Sequence, residues 1–240
     1  MSTKAEIRAQ LQQEILALQG FRPAPSGTQE ATGLGRILES FPHRRFPAGA
    51  LHEFLYAAPE DGAATAGFLA GLLGGLMKKG PVVWVTPRHC VFPPALKQFG
   101  MDPESVLFVE ERREKQALWV VEEALKTAAV SAVVGELREL DFTASRRMQL
   151  AMEQSGVTGF LLRRQPRNLA TAFVARWQVR PLASVIEEGL PGVGFPRWEV
   201  ELLKVRNGQP GRWELEWVDG QFRHPSKLAA ITERRTRKTG

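Results

Sequence analysis

The chain shows two patterns of apolar and polar positions, which predict two kinds of secondary structure. In the first, short apolar runs alternate with longer stretches in which apolar residues recur every three or four positions, as in buried strands followed by helices. This pattern predicts strands at 51–56, 81–86, 105–109, 132–136 and 157–162, and helices at 65–79, 92–99, 115–129 and 143–154. Because strands that alternate with helices pair in parallel, we expect an α/β fold with a mostly parallel central sheet flanked by helices on both faces.

The second pattern occupies the C-terminal part of the chain. Residues 172–182, 198–206 and 213–218 alternate apolar with polar side chains, as half-exposed strands do. The segment 207–211 (Asn-Gly-Gln-Pro-Gly) supplies a turn between the last two of these strands. We therefore expect antiparallel edge strands near the C-terminus.

A separate amphipathic helix is predicted at the N-terminus. Its apolar stripe consists of Ile7, Leu11, Ile15 and Leu18. A lone amphipathic helix cannot bury its own stripe, so it packs either on its own domain or on a neighbouring chain as a docking element. Prolines and glycines in the next segment indicate a linker. The predicted organisation is a docking helix at 1–20, a linker at 21–33, a core domain at 34–222 and a disordered basic tail at 223–240.

Composition narrows the classes of protein. A hydrophobic content of 43% and a charged content of 24% are those of a globular protein. The single cysteine, Cys90, excludes an internal disulfide and a multi-cysteine zinc site, and the four histidines lack metal-ligand spacing, so no metal is predicted. The N-terminal helix lacks the apolar region of a signal peptide, and no apolar run reaches the roughly 20 residues of a membrane span. We expect a cytoplasmic protein with no membrane partner.

Positive charge is concentrated at the C-terminus. The formal net charge is +6, and residues 223–240 carry six basic side chains against Glu233, a net of +5, which leaves +1 for the rest of the chain. Such a tail is either a solvated terminus or a weak, sequence-independent contact to the phosphates of DNA. The candidate DNA contacts in the tail are Arg234, Arg235, Arg237 and Lys238.

Residues 56–80 are arranged like a nucleotide-binding unit that lacks its chemistry. A working phosphate loop needs glycines whose N–H groups surround phosphates, a lysine on the β- and γ-phosphates, and a Ser or Thr on Mg²⁺. The turn-rich segment 57–64 has a single glycine and no lysine, and the following helix begins with a threonine as the remaining hydroxyl. We therefore predict no cofactor. The degenerate loop residues are Pro59, Glu60, Asp61, Gly62 and Thr65.

Residues 34–220 resemble the core of the RecA recombinase in the order of their features. Pro59-Glu60 stands where that family has Pro-Glu in its phosphate loop. Residues 87–94 resemble the segment that carries the catalytic glutamate, residues 96–103 the stretch after it, and residues 204–217 the late Lys-Asn hairpin. The resemblance implies a RecA-like fold.

Several functional positions of the recombinases carry different residues here. They are the phosphate-loop lysine (Ala63 or Ala64), the catalytic glutamate (Arg88), the Walker B aspartate (Gly135 or Glu136) and the sensor glutamine (Arg163 or Arg164). Phosphoryl transfer depends on positioning and on neutralising charge, and each of these positions supplies one or the other. The resemblance therefore implies a recombinase fold that does not hydrolyse ATP, and hence a protein that is not an enzyme.

Among RecA-like proteins without a phosphate loop, the chain is most similar to the ImuA family. The N-terminal helix and the segment 176–182 (Arg-Trp-Gln-Val-Arg-Pro-Leu) favour that family over the related SulA division inhibitors, which are typically shorter. The resemblance implies a non-catalytic accessory of SOS mutagenesis by translesion DNA synthesis. The implied partners are an ImuB-like Y-family polymerase homologue, RecA and an error-prone polymerase subunit. Whether the chain also forms a homo-oligomer stays open.

A group of arginines follows the last predicted parallel strand. These arginines are expected at the end of the sheet where α/β folds build binding sites. They form either ordinary surface ion pairs or a groove for nucleic acid or an acidic partner segment. The group consists of Arg163, Arg164, Arg167, Arg176 and Arg180, of which the first three are candidate DNA contacts.

Two alternative functions remain open at this stage. One is a divergent RecA-like ATPase that still binds nucleotide through Thr65 and the backbone of residues 57–64. Measurable ATP turnover would favour it. The other is an inhibitor of cell division related to SulA.

Overall fold

A mixed sheet of nine strands forms the centre of the fold. The computed structural model describes residue 11 and residues 33–76, 80–88, 91–167, 170–185 and 194–225. The strands are β1 (Leu51–Tyr56), β2 (Val82–Thr86), β3 (Val106–Glu110), β4 (Ala132–Glu136), β5 (Thr158–Arg164), β6 (Ala175–Leu182), β7 (Arg197–Val205), β8 (Gly211–Val218) and β9 (Gln221–Arg223). Their order in the sheet is β3-β2-β4-β5-β1-β6-β7-β8-β9.

Helices connect the strands of the first half. They are α1 (Pro59–Leu76), α2 (Pro93–Leu96), α3 (Glu114–Lys126) and α4 (Phe142–Ser155). Short 3₁₀ helices lie at Gly35–Ser40, Pro42–Arg44, Lys97–Phe99 and Pro103–Ser105. The α/β fold with a mostly parallel sheet, flanking helices and antiparallel C-terminal strands is thus confirmed, and none of the described helices is long and apolar enough to cross a membrane.

One predicted strand pairs differently from the prediction. β6 was expected among the antiparallel strands, but it pairs parallel to β1, with His52 opposite Ala175, and antiparallel to β7, with Val179 opposite Val200. The Val174 N–H, one residue before β6, donates to the Leu51 carbonyl at the start of β1, so the two strands begin side by side and run in the same direction. β6 therefore joins the parallel and antiparallel halves of a single sheet.

Two hydrophobic cores lie on opposite faces of this sheet. On one face, α1 packs against β1 and β6, around the fully buried rings of Phe54, Phe68 and Trp177. On the other face, α3 and α4 pack together over the parallel strands and bury Val121 and Met148. Each buried strand contributes side chains to both cores, because successive residues of a strand point to opposite faces of the sheet.

Aromatic side chains of the antiparallel half lie directly against α1 and leave no room for a side chain at Gly71. A Cβ atom at Gly71 would lie 2.7 Å from Trp217 Cζ3 and 2.8 Å from Phe222 Cζ. β9, which the sequence pattern does not predict, adds Phe222 to the core and extends the sheet to Arg223. The Arg223 guanidinium donates to the Asp219 carboxylate at 2.9 Å. The first residue of the predicted tail is therefore part of the sheet.

The antiparallel strands alternate between the first core and a charged outer face. In β7, Trp198, Val200 and Leu202 are buried. The residues between them form ion pairs across the sheet, for example Arg180 with Glu199 at 3.0 Å. This alternation is the pattern that predicts half-exposed strands.

Candidate functional site

A cavity of about 640 Å³ opens at the carboxyl ends of β1, β2, β4 and β5, beside the start of α1. Tyr56 at the end of β1 and Pro59 at the start of α1 form one side of it. Arg88, Glu136 and Arg164, which follow or end three other parallel strands, are among the residues on the other sides. Open α/β sheets build their binding sites in this place, so the cavity is the candidate functional site.

The predicted start of the first helix is wrong, because α1 begins at Pro59 rather than at Thr65 and takes in most of the predicted degenerate loop. Proline fits the first helical position, where its fixed φ suits the helix and its missing N–H is not needed. The Asp61 carboxylate accepts a hydrogen bond from the Ala58 N–H at 3.2 Å, and the Gly62 N–H donates to the Ala58 carbonyl at 3.2 Å. These contacts start a helix where a nucleotide-binding protein needs an open loop.

The remaining hydroxyl of the degenerate loop points into the protein. Thr65 is fully buried, and its hydroxyl donates to the Asp61 carbonyl of its own helix at 2.7 Å. Of the predicted loop residues, Pro59 and Gly62 line the cavity, whereas Glu60 and Asp61 lie in the first turn of α1. Two carboxylates in the first turn of a helix oppose the binding of phosphate there, because their negative charges repel phosphate and the Asp61 carboxylate already accepts from a backbone N–H.

The alternation of side chains along the strands settles which residues face the cavity. Gly135 points to the other face of the sheet, where a Cβ atom would lie 2.7 Å from Val121 Cγ2, while Glu136 lines the cavity. The same alternation on β5 places Arg164 at the cavity and Arg163 on the opposite face. Arg88, at the position of the catalytic glutamate in the resemblance, also lines the cavity.

Arg163 does not lie on a DNA-binding surface. Its side chain is 0% exposed, and Nη1 lies 2.5 Å from Oε1 of Glu53, which is buried equally completely in β1. The other Glu53 oxygen, Oε2, lies 2.5 Å from Nε of Arg176. Arg163, which was predicted to contact DNA, is therefore part of a buried ion pair between strands. Its partner, Glu53, is a residue that the sequence analysis missed.

The predicted arginine group divides in the structure. Arg176 pairs with Glu53 and Arg180 with Glu199, which is the ion-pair alternative of the prediction. Arg164 and Arg167 are exposed. The cavity instead brings Arg164 together with Arg88 and with two arginines that the sequence analysis did not single out, Arg112 and Arg138. Both lie two residues after the end of a parallel strand, which is the signal that could have indicated them.

The other predicted contacts lie largely outside the described residues. This holds for Ile7, Ile15 and Leu18 of the N-terminal helix and for Arg234, Arg235, Arg237 and Lys238 of the tail. Leu11 is helical, and its side chain is 52% exposed. Within the described ranges, no three His, Cys, Asp or Glu side chains are grouped as a metal site.

The comparisons with known proteins agree with this fold. No family model matches the chain. A KaiC-like protein from Pyrococcus horikoshii superposes with a TM-score of 0.54 at 15% identity, over 81% of this chain and 97% of that one. Together, the sheet and the cavity define a RecA-like α/β protein in which the first turn of a helix stands where a phosphate loop would be.

The sequence relatives give the family. Protein ImuA of Caulobacter vibrioides is 38% identical over 205 residues, which are 79% of this chain and 84% of that protein. The cell division inhibitor SulA of Yersinia pestis is 29% identical over 117 residues, which are 48% of this chain and 68% of that protein. The chain belongs to the ImuA family, as the resemblance in its motifs indicates.

Proposed function

We propose that this protein is a non-catalytic accessory of damage-induced translesion DNA synthesis, which acts in the cytoplasm through contacts with other proteins. Its direct partner is an ImuB-like Y-family polymerase homologue, and RecA and an error-prone polymerase subunit are further partners. The family supports the biological process. The observation that carries the non-catalytic mechanism is the start of α1 at Pro59, which leaves no loop to hold phosphates.

The cavity residues support the same mechanism. Hydrolysis needs a group that orients the attacking water and cations that neutralise the phosphates of a bound nucleotide. Arg88 replaces the acidic group, and the Thr65 hydroxyl is bonded within its own helix rather than directed at the cavity. Conversion of the nucleotide site into another kind of site explains why the scaffold persists without those groups.

The test is a mutagenesis assay joined to an interaction assay. Deletion of the gene should lower the frequency of damage-induced mutation, and the wild-type chain should restore it. The chain should also co-purify with the ImuB-like protein from the same cells. The variant Thr65→Val should restore mutagenesis as well as the wild type does, because it removes the last hydroxyl of the degenerate loop and leaves the cavity walls unchanged. Full mutagenesis without the gene would contradict the proposal.

The similarity to SulA supports a second candidate, an inhibitor of cell division. A division inhibitor stops septation when it is produced in excess, so the cells become filaments without any DNA damage. Expression of the chain in undamaged cells separates the two functions. Normal cell length favours the mutagenesis role, and filamentation that persists when the ImuB-like protein is absent favours the inhibitor.

A further inference from the structure

The walls of the cavity carry an excess of positive charge. Among the described lining residues, four are arginines and one, Glu136, is acidic. The arginines are supplied by the segments after β2, β3, β4 and at the end of β5, namely Arg88, Arg112, Arg138 and Arg164. Four separate segments thus bring guanidinium groups to one opening.

Two of these arginines are available to a ligand. β4 and β5 are neighbours in which Glu136 lies opposite Leu162, and Arg138 and Arg164 each follow two residues later on their own segment. Both are exposed, and neither has an ion-pair partner within the described part of the chain. Nε of Arg164 donates to the Ala57 carbonyl at 3.2 Å, which holds the side chain at the rim. The nearby Glu114 carboxylate accepts from the backbone N–H of Arg138 at 2.7 Å. The two side chains therefore form a basic pair at the rim.

The start of α1 argues against phosphate as the occupant. Phosphate sites at helix N-termini use free backbone N–H groups and a favourable helix dipole. Here Pro59 has no N–H, and the Asp61 carboxylate already accepts from the Ala58 N–H. The charge that attracts an anion lies instead on the guanidinium side of the cavity, which pairs with carboxylates through two parallel hydrogen bonds.

Apolar side chains line the cavity between the charges. Tyr56 and Val91 are half-buried, and Leu137 and Leu162 are buried. A volume of about 640 Å³ is large enough for a few side chains but belongs to a concave site rather than to an extended groove for duplex DNA. The walls thus fit an apolar side chain flanked by carboxylates.

We propose that this cavity binds a short acidic and apolar peptide segment of a protein partner, with Arg138 and Arg164 as the carboxylate-binding pair and Tyr56 beside the apolar side chain. The site that holds nucleotide in other RecA-like proteins becomes a protein-docking pocket. This inference rests on the proposed function, because a protein that works through contacts needs such a docking site. It adds the location and the chemistry of one contact.

The test measures fluorescence anisotropy of a labelled short peptide that alternates glutamate with leucine and phenylalanine. The full-length wild-type chain should bind it, and a peptide with glutamine in place of glutamate should bind about tenfold more weakly or not at all. The double variant Arg138→Glu with Arg164→Glu should lose binding of the acidic peptide by at least about tenfold, because repulsion replaces two charge-assisted contacts.

Arg36 and Arg45 provide the matched control. Both are exposed arginines without an ion-pair partner among the described residues, and neither lines the cavity. Arg36→Glu with Arg45→Glu changes the net charge equally and should leave binding intact. Circular dichroism and melting temperature of both double variants establish that they fold like the wild type.

Three results of these binding measurements would overturn the proposal. No binding of the acidic peptide to the wild type, or equal loss in both double variants, shows that the cavity is not a specific peptide site. Displacement of the peptide by Mg-ATP at the same concentration as by unlabelled peptide assigns the cavity to phosphates, which overturns the peptide site and supports the ATPase alternative. If the peptide result fails while the chain still co-purifies with the ImuB-like protein, the pocket is wrong and the proposed function stands.

Discussion

Arg163 and Glu53 form a completely buried ion pair between two adjacent parallel strands, with 2.5 Å between Nη1 and Oε1. Arg176 of β6 contacts the second carboxylate oxygen, so a single glutamate joins three neighbouring strands. Burial of charge is costly, and only close pairing offsets it. The relative positions of β5, β1 and β6 therefore depend on the Glu53 carboxylate.

Glu53→Gln should lower the free energy of unfolding by about 3–5 kcal/mol, because it removes the negative charge that pairs with the buried Arg163 and the part-buried Arg176. Urea denaturation measures this loss. Glu139→Gln is the matched control on an exposed glutamate and should change stability by less than about 0.5 kcal/mol. Glu53→Leu combined with Arg163→Leu should cost less than Glu53→Gln alone. A Glu53→Gln variant as stable as the wild type would show that the pair contributes nothing.

The stability of the fold should also depend on pH through His52. Burial lowers the pKa of this histidine from 6.5 to about 4, although its hydrogen bond to the Pro47 carbonyl raises the pKa. The ring is held neutral between Pro47 and Trp177, whose indole N–H donates to Nδ1 at 3.3 Å. Between pH 6.5 and about 4, His52 binds a proton in the unfolded chain but not in the folded chain. The contribution is therefore fully present above pH 6.5 and is lost as the pH falls towards 4.

The loss amounts to about 3 kcal/mol when the shift is converted at 1.36 kcal/mol per pH unit. Unfolding free energies measured by urea at several pH values between 7 and about 4 give the slope. His52→Gln should flatten that slope, while His43→Asn, which changes an exposed histidine, should leave it unchanged. An identical slope in His52→Gln and the wild type would assign the pH dependence to other groups.

The non-catalytic mechanism predicts that Mg-ATP does not stabilise the protein. A ligand at 100-fold its Kd stabilises the folded state by roughly 2.7 kcal/mol, which thermal denaturation detects easily. We expect an unchanged melting temperature at millimolar Mg-ATP, because α1 occupies the place of the phosphate loop. A rise that Thr65→Ala abolishes would instead support the ATPase alternative.

The sequence predicts the strands better than the site, and the reasons are physical. β1 and β4 match their predicted bounds because each is a short apolar run between turn residues. The start of α1 is missed because Ala-Ala-Pro-Glu-Asp-Gly is typical of a turn, although proline followed by acidic residues is also a signal for the start of a helix. Which alternative forms depends on the Asp61 contact to the Ala58 N–H, which composition does not reveal.

The buried ion pair shows a second limit of the sequence. Glu53 stands within an apolar run, which is a visible signal, but its partners lie 110 and 123 residues away. Arg163 and Arg164 are adjacent, and only the register of β5 decides which of them is buried. A shift by one residue exchanges the two faces of a strand. The sequence therefore predicts an arginine-rich sheet end without telling which arginines face solvent.

Binding to DNA is predicted to be weak, indifferent to sequence and steeply dependent on salt. The basic residues after Pro225 should account for most of it, because counterion release scales with the number of phosphates contacted. Deletion of residues 226–240 keeps His224, whose ring nitrogen lies 3.3 Å from the Leu34 carbonyl, and should remove binding without unfolding the core. Binding that survives the deletion at about 0.2 M salt would assign the contact to Arg164 and Arg167 instead.

The predicted N-terminal helix gives the last prediction. Its predicted stripe of Ile7, Leu11, Ile15 and Leu18 is apolar enough to need a partner, and the predicted linker at 21–33 is long enough to reach another chain. If the helix is a docking element, Leu11→Asp with Ile15→Asp should abolish association with the ImuB-like partner or with a second copy of the chain. The melting temperature should stay within about 2 °C of the wild type, because the helix would then contribute no contacts to the predicted core domain at 34–222.

The opposite outcome is equally measurable on the same variant. A helix that packs on its own domain buries the stripe within the fold, so two aspartates should lower the melting temperature by several degrees and leave association intact. Gln12→Asp with Gln13→Asp is the matched control, since both residues lie off the apolar stripe and the added charge is the same. Loss of stability with retained binding in Leu11→Asp with Ile15→Asp alone would show that the stripe belongs to the protein's own core and that docking occurs elsewhere.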